Sequence, residues 1–175
     1  MSSQRQHVAL VTGPAAGIGR AICVALAERG IGIIGVDIAD QADTAVRCRA
    51  AGASYEACTA DVADLQALTG AVSGAVSRVG PPDIVIANAG IYPAAPIAEV
   101  SVDDWRRVMR VNVDGVFCTV QAALPYLREA GWGRIIAVSS GTVWLGVPNM
   151  APYVASKAAL LGLVRSLAME LGEEN

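Results

Sequence analysis

Tyr153 and Lys157 stand four residues apart in a stretch otherwise built from small and apolar residues, YVASKAAL at 153–160. On a helix, positions i and i+4 project from the same face one turn apart. An ammonium placed there favours tyrosinate over tyrosine, which makes the pair a candidate general acid/base. The spacing alone is weak evidence, since a tyrosine and a lysine so arranged on an exposed helix are usually a surface contact. Two more polar residues precede them, Ser140 at the end of an apolar run and Asn112 within NVDG.

A second chemical feature lies near the N-terminus. In VALVTGPAAGIGRAICVAL (8–26), Gly13, Gly17 and Gly19 fall between a strand-like run and a helical one. Without side chains the backbone can turn tightly and approach a phosphate, whose charge is met by free N–H groups at the helix N-terminus. Gly13, Ala16, Gly17, Ile18 and Gly19 are therefore candidates for a dinucleotide-phosphate site, although glycines also serve helix caps and close packing. Asp37 follows about twenty residues later at the end of a second strand-like run. There a carboxylate can accept from ribose hydroxyls and would repel a 2′-phosphate; the plainer alternative is an aspartate that caps a turn.

These residues need elements to position them, and the chain supplies a regular rhythm. Short β-rich runs are expected at 7–12, 32–37, 54–59, 83–88 and 133–140, with helical segments at 18–29, 41–51, 64–78, 103–129 and 153–173. This alternation is the signature of a parallel sheet wrapped by crossover helices, and nearly continuous apolar strands are expected where helices cover both faces. Gly30, Gly52 and Gly80 stand where helices should end, Asp64 and Ser101 where they should begin. The 175 residues show no linker, repeat or composition shift, so 1–175 reads as one α/β domain.

Composition narrows the functional classes. With 54% hydrophobic and 17% charged residues the chain is far from the profile of disorder. A net charge of −3 without basic runs gives no footprint for nucleic acid or anionic lipid. The apolar runs are too short to span a bilayer, no secretory signal pattern opens the chain, and a cytoplasmic location is expected. Cys23, Cys48, Cys58 and Cys118 are widely spaced within apolar segments and read as buried free thiols. His7 has no carboxylate or cysteine neighbour in sequence and reads as a surface residue, so no metal site is expected.

Taken together, the motifs resemble the short-chain dehydrogenase/reductase family. Thr12 and the three glycines match its TGxxxGxG turn; Asp61 and Val62 match its D-V pair; Asn88, Ala89 and Gly90 match its N-A-G; and Asn112, Ser140, Tyr153 and Lys157 match its catalytic tetrad. The resemblance covers residues 8 to 172 and implies a doubly wound Rossmann fold, three-layered α/β/α. It also implies a hydride transfer between NAD(H) and a secondary alcohol or ketone. Tyr153 would exchange a proton with the substrate oxygen, and Ser140, or its neighbour Ser139, would hold that oxygen. Lys157 would bind the nicotinamide ribose, while the Asn112 side chain would hold a water linking the lysine to solvent. Asp61 would accept from the adenine amine, Val62 would pack on the ring, and Asn88, Ala89 and Gly90 would steady the sheet beside the cofactor. None of Pro14, Ala15, Ala16 or Ile38 is basic, which favours NAD over NADP.

The loops 91–97 and 141–152 should line the substrate side, where Trp144, Val147 and Met150, with Ser140 and Tyr153, suggest a small or medium apolar substrate. The same apolar side chains could instead pack against the core or a partner. The resemblance further implies self-association, dimeric or tetrameric, through the helices at 103–129 and 153–173. Family members continue beyond such a helix with a further strand, a Pro-Gly stretch, a substrate-covering loop and a last strand. These segments do not follow Asn175, so the sequence is either a fragment or a naturally truncated chain, and in the second case an exposed sheet edge and an open active site are expected. The alternatives are a 3-oxoacyl or other ketone reductase of the same family and a nonenzymatic, dinucleotide-binding or oligomerising remnant of the fold.

Overall fold

A computed structural model describes residues 6–174. Five parallel strands form one sheet: β1 (Val8–Thr12), β2 (Gly32–Asp37), β3 (Tyr55–Thr59), β4 (Ile84–Ala87) and β5 (Arg134–Ala137), in the order β3-β2-β1-β4-β5. The order reverses between β1 and β4, so their carboxyl ends open a crevice where ligands of such folds bind. β1 is buried at every residue, and β2 and β4 nearly so.

Helices α1 (Gly17–Ala27) and α2 (Ala42–Ala50) cover one face, packing Cys23, Ala27, Ala45 and Cys48 against Ala9, Val11, Ile33 and Ile86. The other face carries α3 (Leu65–Val79) and α5 (Gly115–Ala130), whose Leu68, Val72, Cys118 and Ala122 pack on Leu10, Ile34 and Val85. A smaller cluster of Ala87, Val116 and Leu160 joins α7 (Ala151–Leu171) to that side. A short turn of helix, α6 (Thr142–Leu145), precedes α7.

The expected capping residues act as such. The Asp64 side chain accepts from the Ala67 N–H, Ser101 and Asp104 form a reciprocal capping box, and Gly30, Gly52 and Gly80 follow their helices with positive φ. Two expectations need correction. The segment 103–129 is not one helix: α4 (Val102–Met109) passes into a π-helical segment, Arg110–Asp114, before α5. Side-chain periodicity does not reveal such an insertion, because it is fixed by what the inserted turn contacts.

Nor are all strands apolar on both faces. β5 pairs only with β4 among the described residues, and its alternate residues Arg134 and Ile136 are exposed because no helix covers that face; Ile136 is 48% exposed. His7 is exposed, as its sequence reading has it. The β1–β4 pairing brings Asp83, distant in sequence, to 2.7 Å from its Nδ1, and the Val8 N–H donates to the same buried carboxylate at 3.1 Å. The four cysteines are buried and unpaired. No helix among the described residues is long and apolar enough to cross a membrane.

Candidate active site

The glycine turn is welded to the loop after β4. Thr12 Oγ1 accepts from the N–H groups of Asn88 and Ala89, each at 3.1 Å, while Asn88 Nδ2 donates to the carbonyls of Thr12 at 3.0 Å and Gly13 at 3.2 Å. A Cβ on Gly13 would sit 2.9 Å from both Ala89 Cα and Asn88 Nδ2, and one on Gly19 would collide with the Gly13 carbonyl. These two glycines make the turn compact. Gly17 differs: its φ is +55°, and a Cβ there would meet nothing within 4 Å, so its bare backbone faces open space.

Asp37 sits opposite. Its Oδ2 accepts from the Ala15 N–H and its Oδ1 from the Ala39 N–H, both at 3.0 Å, so the carboxylate braces the turn and retains lone pairs for a ligand. From below, the buried Thr44 hydroxyl donates to the Pro14 carbonyl at 2.8 Å. Arg20 donates to Thr44 Oγ1 and to the Ala15 carbonyl, and pairs with Asp43 at 2.8 Å. Arg20 and Thr44 carried no recognisable signal in the sequence, because their role depends on α2 lying beside α1.

On the other side of the crevice, Lys157 is 4% exposed and its Nζ donates to the Val138 carbonyl at 2.7 Å. Burial holds its pKa below the ordinary lysine value. The ammonium lies 5.8 Å from the Tyr153 ring centroid, and a Cβ on Gly90 would come within 3.4 Å of it. Ser139 donates to the Lys157 carbonyl at 2.9 Å and is thereby committed to the α7 backbone. Ser140 keeps its hydroxyl at the crevice and accepts there from the Thr142 N–H at 3.2 Å and the Thr142 hydroxyl at 2.9 Å.

Asn112 is fully buried within the π-helical segment. Its Nδ2 donates to the Ile91 carbonyl and to Ser156 Oγ, each at 2.9 Å, and its Oδ1 accepts from the Ile91 N–H at 2.8 Å. Both amide hydrogens are thus used within the protein, and a lone pair on Oδ1 remains able to accept from a water. Ser156 in turn donates to the Tyr153 carbonyl at 2.7 Å, tying the Asn112 cluster to the first turns of α7. Ser156, inside the Tyr–Lys motif, went unnoticed in the sequence because nothing there shows which helix faces it.

One cleft of about 800 Å³ brings most of these residues together. Gly13, Ala16, Gly17, Ile18, Asp37, Asp61, Val62, Asn88, Ala89, Gly90, Ser140, Tyr153 and Lys157 line it, while Gly19 and Asn112 lie behind the wall. Trp144, Val147 and Met150 do not line it. Trp144, on the short helical turn α6, is 76% exposed. Tyr92 does line it and stands edge-on to Tyr153, with ring centroids 6.1 Å apart. Arg107 and Arg110 also line it, although the sequence alone did not mark them.

The parallel order, the crevice at its reversal and the tyrosine–lysine helix facing a glycine turn define a dinucleotide-binding α/β protein. A family model described as short chain dehydrogenase matches residues 7–175, and the chain belongs to that family of oxidoreductases. It is 35% identical over 169 residues to the 2-dehydro-3-deoxy-D-gluconate 5-dehydrogenase of Dickeya dadantii, covering 96% of this chain and 67% of that protein. It is 39% identical to the cis-4-hydroxycyclohexanecarboxylate dehydrogenase of Sinomonas cyclohexanicum, covering 94% and 67%. Among solved structures, carveol dehydrogenase from Mycobacterium avium in complex with NAD superposes with a TM-score of 0.91 at 32% identity, covering 96% of this chain and 66% of that one. The chain thus spans about two thirds of the length of these relatives.

Proposed function

We propose that the chain carries the cofactor and proton-transfer half of an NAD(H)-dependent oxidoreductase acting on a secondary alcohol or its ketone. The observation that carries this reading is the sharing of one cleft by Tyr153, Lys157, Ser140, the open backbone at Gly17 and Asp37. The cleft suits a dinucleotide: Gly17 leaves room for a phosphate, and Asp37 has lone pairs free for ribose hydroxyls. NAD, when bound, supplies the hydride acceptor or donor.

In that reading Asp37 favours NAD over NADP by like-charge repulsion of a 2′-phosphate, and Arg20 and Thr44 keep the glycine turn in shape. Ser140 holds the substrate oxygen beside Tyr153, which takes the alcohol proton in oxidation or donates it in reduction. Lys157, anchored on Val138, holds its ammonium 5.8 Å from the centre of the Tyr153 ring, within the same cleft. Tyr92 presents an aromatic edge over the reacting group, which suits an apolar or cyclic substrate and replaces Trp144 as the wall residue.

The test is NADH production by the 175-residue chain over a panel of secondary alcohols, with Tyr153→Phe as control. Turnover that disappears in the variant while NADH still binds supports the reading. Appreciable turnover in Tyr153→Phe removes Tyr153 as the proton carrier, and NADH binding without turnover in the parent favours a nonenzymatic binding module. Self-association through α4, α5 and α7 is part of the proposal, supported by exposed Trp105, Phe117 and Met169 on those helices; sedimentation as a monomer would refute it.

A further inference from the structure

Asp61 is held on both sides. Its Oδ1 accepts from the Ala63 N–H at 2.9 Å, and its Oδ2 accepts from Arg110 at 2.8 Å across 49 positions of sequence. Arg110 is the first residue of the π-helical segment, and it lines the same cleft as Asp61 and Val62. The neighbouring Val62 is seated by the same part of the chain: a Cβ on Gly115, the first residue of α5, would come within 2.6 Å of Val62 Cγ2. The break between α4 and α5 therefore presses on the Asp61–Val62 loop at two points, an ion pair and a glycine contact.

We infer that Arg110 is a positioning residue that aims the Asp61 carboxylate into the cleft and thereby makes the cofactor site selective for a purine bearing an exocyclic amine. The inference rests on reading the cleft as a dinucleotide site. With Oδ1 fixed by Ala63 and Oδ2 by Arg110, the carboxylate cannot turn about its Cβ–Cγ bond. Its remaining lone pairs point in set directions, and a donor placed there meets a charged acceptor without ordering cost. An amine donates to such an acceptor, whereas a carbonyl oxygen at the same position of the ring is repelled. Without Arg110 the carboxylate is tied at one oxygen only and can turn away from either. Both residues are partly exposed, so the contribution lies in orientation more than in raw Coulomb attraction.

The experiment titrates NADH and its hypoxanthine analogue, in which a carbonyl replaces the adenine amine, by nucleotide fluorescence. The proteins are the parent chain, Arg110→Gln, Arg110→Lys and, as a control that removes an α4 arginine which does not line the cleft and pairs with Asp103, Arg106→Gln. A charge-assisted hydrogen bond predicts that the parent and Arg106→Gln prefer NADH by about tenfold. Arg110→Gln should narrow the preference to about twofold, and Arg110→Lys should recover part of it. An unchanged preference in Arg110→Gln, or an equal loss in Arg106→Gln, overturns the inference. A parent that binds both nucleotides equally overturns it while leaving the cofactor site standing, and a parent that binds neither removes both.

Discussion

Asp37 shows how one side chain can carry two roles that mutagenesis would confuse. Its carboxylate accepts from Ala15 in the glycine turn and from Ala39 in its own loop, so it shapes the turn, and in the proposed reading it also faces the ribose. Asp37→Ala should therefore weaken both dinucleotides, NADH by about tenfold or more and NADPH by less, because only NADPH is relieved of repulsion. Parallel titrations of the two would show this, and an unchanged ratio would remove Asp37 from the ribose site. At this scale the sequence was informative through the combination and order of motifs, since the glycine turn, Asp37 and the Tyr–Lys pair, each weak alone, line one cleft. It was silent where a residue acts through a neighbour brought in by topology. Arg110, Thr44 and Ser156 are ordinary helix residues until α2, α7 and the Asp61 loop lie beside them.

Among the elements, the π-helical segment is the feature that periodicity could not show. A pattern of apolar positions over 103–129 reads equally well as one straight helix. The extra residue is accommodated because it turns Asn112 inward to bind Ile91 and Ser156, and places Arg110 toward Asp61. Asn112→Ala would leave the buried N–H and carbonyl of Ile91 and the Ser156 hydroxyl short of partners. About 2–3 kcal/mol of stability should be lost, read as a lower urea midpoint with an unchanged slope. The alternation of strands and helices and their capping were legible from local signals, since Asp64, Ser101 and the helix-ending glycines punctuate the chain independently of tertiary contacts. The turned-out position of Trp144 was not, because an apolar residue in a loop carries no mark of the direction it will face.

For the molecule as a whole, the buried thiols set an alkaline limit. Burial, with a smaller contribution from Cys48, pushes the Cys23 thiol up to about 12, and burial also raises Cys48 and Cys58. Unfolded, these thiols ionise near their ordinary value of about 8.5. Between there and pH 12 the unfolded chain gives up protons that the folded chain keeps, so stability falls as pH rises through that window. Lys157, whose pKa is lowered by burial, acts in the opposite sense over a window ending at its ordinary value. Urea midpoints should be level below pH 8 and decline above 9, and Cys23→Ala should flatten the decline; a slope unaffected by the substitution would exclude Cys23 as a cause.

The uncovered face of β5 has a different kind of consequence. Among the described residues its backbone edge is unpaired, and with the half-exposed Ile136 it offers a template on which a second chain can add a strand, in a reaction whose rate rises with concentration. Ile136→Lys should therefore slow the growth of light scattering in concentrated samples severalfold while changing the unfolding free energy read from urea titration by no more than about 0.5 kcal/mol. On that expectation a strip four residues long at the rim of the sheet limits how long concentrated samples stay clear, and a variant there can be longer-lived without being any more stable.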